Sequence, residues 1–364
     1  MNDFKAEPEE LRERMVAATR RVFESGWYVL GRELARFEAQ WAHHCGTAHA
    51  IGVGNGMDAI EIALRGLDIG PGDEVVTTPM TAFATVLAIV RAGATPVLAD
   101  IDPDTALLAM DSVERCLSAR TKAVLLVHLY GQVRDMHGWV GFCERHQIHL
   151  IEDCAQSHLA RWQDRPAGSF GVAGAYSFYP TKNLGAIGDA GMLVLADDAL
   201  AERARQLRNY GQSVRYHHPQ WGLNSRLDEL QAAILGERLV NLPEWTERRR
   251  HVADAYRAGI HNPHVSLLAP PQEPTAHVHH LFVITCKQRD ALLAHLERSG
   301  VQALVHYPVP VHRQEPCLQV RRDPAGLSHA ELHAATCLSV PCHPQMGDAD
   351  VQAVIAALNA FRLP

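Results

Sequence analysis

The chain has 364 residues, with 34 Lys or Arg against 41 Asp or Glu, a formal charge of −7 at pH 7. At 47% hydrophobic and 21% charged it has the composition of a globular protein of roughly two domains, not of a disordered one. A mildly acidic chain has no long-range pull on a phosphate backbone, which excludes nucleic acid as an expected partner, and no run of ~18 uncharged apolar residues marks a membrane span. The start MNDFKAEPEELRER lacks the apolar stretch of a signal peptide, so a cytoplasmic protein is expected.

Residues 8–24 carry Leu11, Met15, Ala18 and Val22 at helical spacing, and the pattern ends before Gly26. From 48 to 196, short apolar runs alternate with helical patterns: AHAIGV (48–53), EVVTTP (74–79), TPVLADI (95–101), AVLLVHLY (123–130), IHLIED (148–153), GAYSFY (174–179) and GMLVLA (191–196). Continuous Val/Ile/Leu strands separated by helices imply a mostly parallel sheet covered on both faces. The last two runs are too close for a crossover helix, so the order becomes irregular there. A helix is predicted at about 225–240, with Ser225 near its start and Leu227, Leu230, Ile234, Leu235 and Leu239 on its apolar side. The Pro-rich 267–276 reads as a surface connection. Beyond it come a strand (280–285), a helix opened by Arg289-Asp290, Gly300, another strand, and a terminal helix from about 349. The fold class is α/β: a large domain, 1–245, holding a mixed, mostly parallel sheet, and a small α+β domain, 246–364.

Eight cysteines form no CxxC pair and are expected to be reduced and buried. Of 22 histidines, the doublets at 43–44, 217–218 and 279–280 point their rings apart, and no HExxH or His/Cys spacing is present, so no structural metal is expected.

Only four lysines occur, and Lys182 stands out because it lies just past a strand in the Gly-rich SFYPTKNLGAIGDAG (177–191). Open α/β sheets bind ligands at such strand ends. The bland alternative is a solvated loop lysine, but two neighbours argue against it. Asp153 ends the run IHLIED at the same sheet edge, where a buried carboxylate needs a cationic partner such as a protonated pyridine nitrogen. GVGNGMDAIEIAL (52–64) passes from a strand through three glycines into a helix, whose free N–H groups and dipole suit a phosphate. A phosphate cradle, a carboxylate for a pyridinium and an imine-forming lysine are what pyridoxal phosphate requires.

In order along the chain stand GNGMDAIEIAL, PGDEVVTTP, AGATPVLADIDPDT, TKAVLLVHLYGQVRDM, IEDCAQSH, SFYPTKNLGAIGDAG, GLNSRLDELQAAIL and VHYPVPVH. Together they resemble the DegT/DnrJ/EryC1/StrS family of pyridoxal-phosphate sugar aminotransferases over nearly the whole chain. The resemblance implies the type I (aspartate aminotransferase-like) fold and a homodimer with shared active sites. It makes Lys182 the imine-forming and proton-moving residue, Asp153 the partner of the pyridinium nitrogen and Gln156 a donor to the ring's phenolic oxygen. Ser177 and the amides of Gly56 and Met57 would hold the phosphate, with Asn224 reaching it from the neighbouring subunit. Two departures stand out: Met57 replaces a common threonine, and Ala82 occupies the usual ring-stacking aromatic position of T-[FYW]-x-[AS]-T, which leaves the stacking residue open.

Within the family, Lys182 argues against the deoxygenating branch, which carries histidine there. The wording of SFYPTKNLGAIGD, of RYHH (215–218) and of VHYPVPVH most resembles enzymes of 3-keto nucleotide sugars. The resemblance implies transfer of the amino group of L-glutamate to C-3 of a dTDP- or UDP-linked keto sugar, ping-pong through pyridoxamine phosphate. Arg226, His306 and Tyr307 would contact the substrate. For Arg226 the alternative is an ion pair with Asp228 or Glu229. His217 is either a diphosphate contact or a surface histidine. C-4 transfer, a keto-cyclitol substrate and a non-catalytic sugar-nucleotide-binding regulator are the rival functions, and polysaccharide and natural-product pathways both use such sugars.

Overall fold

The computed structural model describes residues 3–363. In chain order its strands are β1 (His49–Val53), β2 (Glu74–Thr77), β3 (Thr95–Leu98), β4 (Thr121–Val127), β5 (His149–Asp153), β6 (Arg161–Trp162), β7 (Arg165–Pro166), β8 (Ala173–Ser177), β9 (Gly191–Leu195), β10 (Ser266–Leu267), β11 (Phe282–Thr285), β12 (Arg321–Arg322) and β13 (Cys337–Val340). Eight of them form one sheet in the order β1-β9-β8-β5-β4-β2-β3-β12, while β10-β11-β13 make a small antiparallel sheet and β6-β7 a hairpin. From β12 across to β8 the large sheet is parallel, and β9 runs antiparallel to both its neighbours. The seven apolar runs are thus all strands. The expected irregularity has its cause in residues 178–190, a loop bearing Lys182 in place of a crossover helix.

Alternation along the strands feeds two cores. Val76, Val124 and Leu126 point to the face covered by α1 (Glu9–Ser25) and α2 (Arg32–Cys45). Val75, Leu125 and Ile151 point to the face covered by α3 (Gly56–Gly66) and α4 (Phe83–Arg91). Burial on both sides is why these segments read as unbroken apolar runs. Helix α1 buries Leu11, Ala18 and Val22 and stops where Gly26 takes φ 64°, its N–H donating to the Phe23 carbonyl.

The helix expected from 225 begins at Glu229 and ends at Leu239. Residues 224–228 are instead drawn out, with backbone bridges from Asn224 to Asn209 and from Asp228 to Val29. The Ser225 hydroxyl, which sequence placed near a helix start, accepts from the Gly54 N–H at 2.9 Å and ties this stretch to the loop after β1. Residues 301–320 hold no regular strand, apart from a bridge between Leu304 and Ser339, and the further strand expected after Gly300 is β13, which pairs with β11.

Helix Leu242–Gly259 runs through residue 245: Leu242 and Trp245 pack in the first core, whereas Val252, Ala253 and Tyr256 enter a separate core reaching Phe361. The C-terminal region returns to the large sheet through β12. Buried Asp323 accepts from Arg115 and Ser112, and Asp100 caps helix Ser328–Thr336 by accepting from the amides of His329 (3.0 Å) and Ala330 (2.9 Å). All eight cysteines are buried and free. Among them Cys154 lies within ligand distance of His128 and Glu152, but the Glu152 carboxylate already receives the amides of Gly168, Phe170 and Gly171 and the His128 ring, so it anchors a loop. No helix among the described residues is long and apolar enough to cross a membrane.

Candidate active site

Because β4, β5 and β8 run parallel, their carboxyl ends share one edge, and Asp153 and Ser177 are the last residues of β5 and β8. Asp153 is 6% exposed. Its Oδ2 accepts from Thr85 Oγ1 at 2.8 Å and its Oδ1 from the Ala155 N–H at 3.1 Å. Thr85 has one proton and gives it to the carboxylate, so the 2.7 Å contact with Thr81 is a bond donated by Thr81. Such a buried carboxylate, held by neutral donors only, is poised for a cation.

Lys182 sits in the loop after β8, its N–H donating to the Tyr179 carbonyl at 2.8 Å. Its amine has no hydrogen-bond or ion-pair partner among the described residues. Burial pushes it down to about 8, against the opposing pull of the Asp153 charge. Near neutral pH a usable fraction is therefore the free amine, the form that attacks a carbonyl.

At the start of α3 the Asn55 side chain accepts from the Asp58 N–H at 2.9 Å, and the amides of Gly56 and Met57 keep no acceptor among the described residues. Close approach explains the glycines here. A Cβ on Gly56 would lie 2.7 Å from Ser177 Cβ, and one on Gly191 would lie 2.3 Å from the Asn55 carbonyl carbon. Two free amides, a helix N-terminus and the Ser177 hydroxyl thus converge as a seat for a phosphate dianion. His158, fully buried, donates Nε2–H to the Ser177 carbonyl at 2.9 Å; burial pushes it down to about 3, so it supports this strand end as a neutral ring.

Gln156 is buried, with Oε1 accepting from the Tyr130 N–H at 2.6 Å and Nε2 at 3.3 Å from the Tyr307 hydroxyl. Burial, reinforced by the Asp153 charge, raises the Tyr307 phenol to about 12. His306 shares a 2.9 Å bond with Ser339 and is pushed by burial down to about 4, so it stays neutral. The structure thus joins Tyr307, which the resemblance assigns to the substrate side, to Gln156. Ala82, just before α4, carries no aromatic ring, and Phe83, which opens the helix, is exposed.

Three expected site residues lie elsewhere. Asn224 is exposed. His217 is exposed too, its Nδ1 bonded to Ser213 Oγ at 3.0 Å within a turn. The Arg226 guanidinium lies over the Tyr210 ring at 5.1 Å and donates to Asn209 Oδ1 at 3.1 Å. The alternative ion pair with Asp228 or Glu229 is not formed, because the Glu229 carboxylate is taken by the amides of Gly31, Glu33 and Leu34 at the start of α2. Sequence reasoning assigned no role to Thr81, Thr85, Tyr130 or His158. None of them stood in a local pattern that marks it: Thr81 lies before α4 and Thr85 in its first turn, so even their contact is made by the fold.

A carboxylate for a pyridinium, an amine without a partner and an open phosphate seat, all on one sheet edge, fit pyridoxal phosphate. The model of the DegT/DnrJ/EryC1/StrS aminotransferase family matches residues 9–359. The chain is 45% identical over 363 residues to a dTDP-3-amino-3,4,6-trideoxy-alpha-D-glucose transaminase of Streptomyces venezuelae, covering 99% of this chain and 95% of the relative. It is 40% identical to a pleiotropic regulatory protein of Geobacillus stearothermophilus, covering 99% and 98%. The crystal structure of S. venezuelae DesV in complex with a ketimine intermediate superposes with a TM-score of 0.95 at 44% identity, covering 100% of this chain and 98% of that one. The chain belongs to the DegT/DnrJ/EryC1/StrS aminotransferase family and uses pyridoxal 5'-phosphate.

Proposed function

We propose that this aminotransferase moves the amino group of L-glutamate to the C-3 keto group of a dTDP- or UDP-linked sugar in two half-reactions at one site. The observation that carries the reading is the Lys182 amine, pushed down to about 8 and without a partner, on the same sheet edge as the Asp153 carboxylate. The kinship with a dTDP-3-amino-sugar transaminase supports the nucleotide and the position of transfer.

Pyridoxal phosphate supplies the electron sink and carries the amino group between the two substrates. Gly56, Met57 and Ser177 would hold its phosphate, Asp153 would keep the ring nitrogen protonated, and Gln156 Nε2 would have an N–H to offer the phenolic oxygen. Lys182 would supply the amine that links to the cofactor and would move a proton between that amine and the substrate carbon. His306 and Tyr307 wall the sugar side. Asn224 and His217, exposed in one chain, and the half-buried Arg226 would serve the site of a second copy, in a homodimer with shared active sites. Arg226 suits a diphosphate, having no carboxylate partner among the described residues. The reading places the enzyme in the cytoplasm, in amino-sugar supply for polysaccharide or natural-product assembly. It takes 1–245 as the large cofactor-binding unit and 246–364 as the small one, supported by the separate core from Val252 to Phe361.

Lys182→Ala should lower turnover at least ~10³-fold and remove both the visible absorbance of the bound cofactor and the borohydride-reducible adduct on the peptide bearing position 182. Retained multiple turnover would refute the assignment. Proton couplings in the aminated product separate C-3 from C-4 transfer and from a keto-cyclitol. One relative is named as a regulator, so a non-catalytic sugar-nucleotide-binding role is the second reading; it predicts ligand binding without amino transfer from L-glutamate.

A further inference from the structure

The VHLYGQ motif takes no part in the chemistry above, yet its tyrosine touches both sides of the site. Tyr130 is 2% exposed and holds φ 62°, in the left-handed region that side-chain-bearing residues seldom adopt. This turn aims its N–H at Gln156 Oε1, 2.6 Å away. With its acceptor end so occupied, Gln156 can present only its Nε2 donor towards Tyr307.

At the far end of the residue, the phenol oxygen lies 2.7 Å from the His306 carbonyl and 2.8 Å from His333 Nε2. A carbonyl can only accept, so the phenol donates to His306 and accepts a hydrogen bond from His333 Nε2–H. His306 is then held at its carbonyl by the Tyr130 hydroxyl and, more weakly, by the Cys337 thiol at 3.6 Å, and at Nδ1 by Ser339. Its other ring nitrogen has no partner among the described residues, and the residue lines a small cavity with Thr181, His280 and Gln302. One buried residue therefore spans, from backbone N–H to phenol, the distance between the amide assigned to the cofactor ring and the segment assigned to the sugar.

We propose that Tyr130 is a positioning residue that sets Gln156 and the His306–Tyr307 segment in one register, so that sugar affinity depends on a hydroxyl that touches neither cofactor nor sugar. The proposal rests on the aminotransferase reading and deepens it. The two ends of Tyr130 can be cut separately: the bond to Gln156 is made by the backbone and survives in Tyr130→Phe, whereas the bond to His306 does not.

The test uses the holoenzyme in the reverse direction, with dTDP-3-amino-3,4,6-trideoxyglucose and 2-oxoglutarate as probes. In Tyr130→Phe the KM for the amino sugar should rise about five- to tenfold, the size of one lost hydrogen bond. The dissociation constant of the cofactor, titrated by absorbance, should change less than twofold. His333→Ala, which keeps the bond to His306, should raise the KM less than Tyr130→Phe does. An unchanged KM in Tyr130→Phe, with or without a fall in Tm, overturns the proposal, as does a cofactor dissociation constant rising in step with KM. Wild-type protein that lacks a borohydride-reducible cofactor, or does not turn over these probes, would instead overturn the aminotransferase reading or its sugar, and the proposal with it.

Discussion

The sheet edge and the loop 208–228 are built on opposite terms. Along the edge, Asp153, Gln156 and His158 are buried and each is held by a short bond to a neighbouring strand or loop. In the loop, Tyr216 is 81% and Trp221 92% exposed, His217 and Asn224 stand in solvent, and Arg226 rests on a tyrosine face. The difference teaches where each kind of work belongs. Groups that must hold or move protons at fixed geometry gain from a water-poor, preorganised surround. Groups that meet a solvated diphosphate need reach and charge, and gain little from burial.

Substitutions should follow this division. Asp153→Asn, at the buried edge, should lower kcat about 100-fold or more, since the ring nitrogen loses the charge that keeps it protonated; stopped-flow of the glutamate half-reaction measures it. Arg226→Ala, in the exposed loop, should raise the sugar-nucleotide KM about tenfold, the size of a charge-assisted bond, while the glutamate half-reaction changes little. Should Arg226→Ala slow that half-reaction as severely as Asp153→Asn, the division would be broken.

The smallest effects are expected in stability against pH, and they sharpen the picture of the buried side. His158 and His277 are pushed by burial to about 3, and His306 and His333 to about 4, all below the usual 6.5. Between pH ~6.5 and ~4 the unfolded chain takes up protons that the folded chain refuses, so stability falls as pH falls through that window. Tm measured from pH 7 to 4.5 should drop, and His333→Gln should flatten the slope. At the alkaline end burial raises the Cys45, Cys116 and Cys143 thiols to about 12, so stability should fall as pH rises past 9. Lys182, whose folded value of about 8 lies below the ordinary 10.5, opposes that fall in cofactor-free protein, and Lys182→Met should steepen it.

Much of this was legible in the residues. The seven strands were readable because burial on both faces leaves no polar alternation to confuse them; Asp153 and Lys182 stood out by their places at and after strand ends, whereas Ser177 entered only with the family resemblance. The start of helix Glu229–Leu239 was misread because Ser225, a good cap by composition, is claimed by the Gly54 amide from 171 positions away. The ion pair considered for Arg226 failed for a similar reason: Glu229, its neighbour in sequence, is used by the first turn of α2. Tyr130 was invisible as a link, since its partners His306 and His333 stand 176 and 203 positions along the chain.

Local chemistry, then, was settled by the chain itself: apolar periodicity decides which segments become strands and helices, and glycine, lysine and carboxylate at their ends decide what the sheet edge can bind. Which donor serves which acceptor was settled only by the folded molecule. Buried hydrogen-bonding groups must be satisfied by whatever the packing brings within 3 Å, and for Ser225, Glu229 and Tyr130 that partner comes from a distant stretch that no local pattern announces.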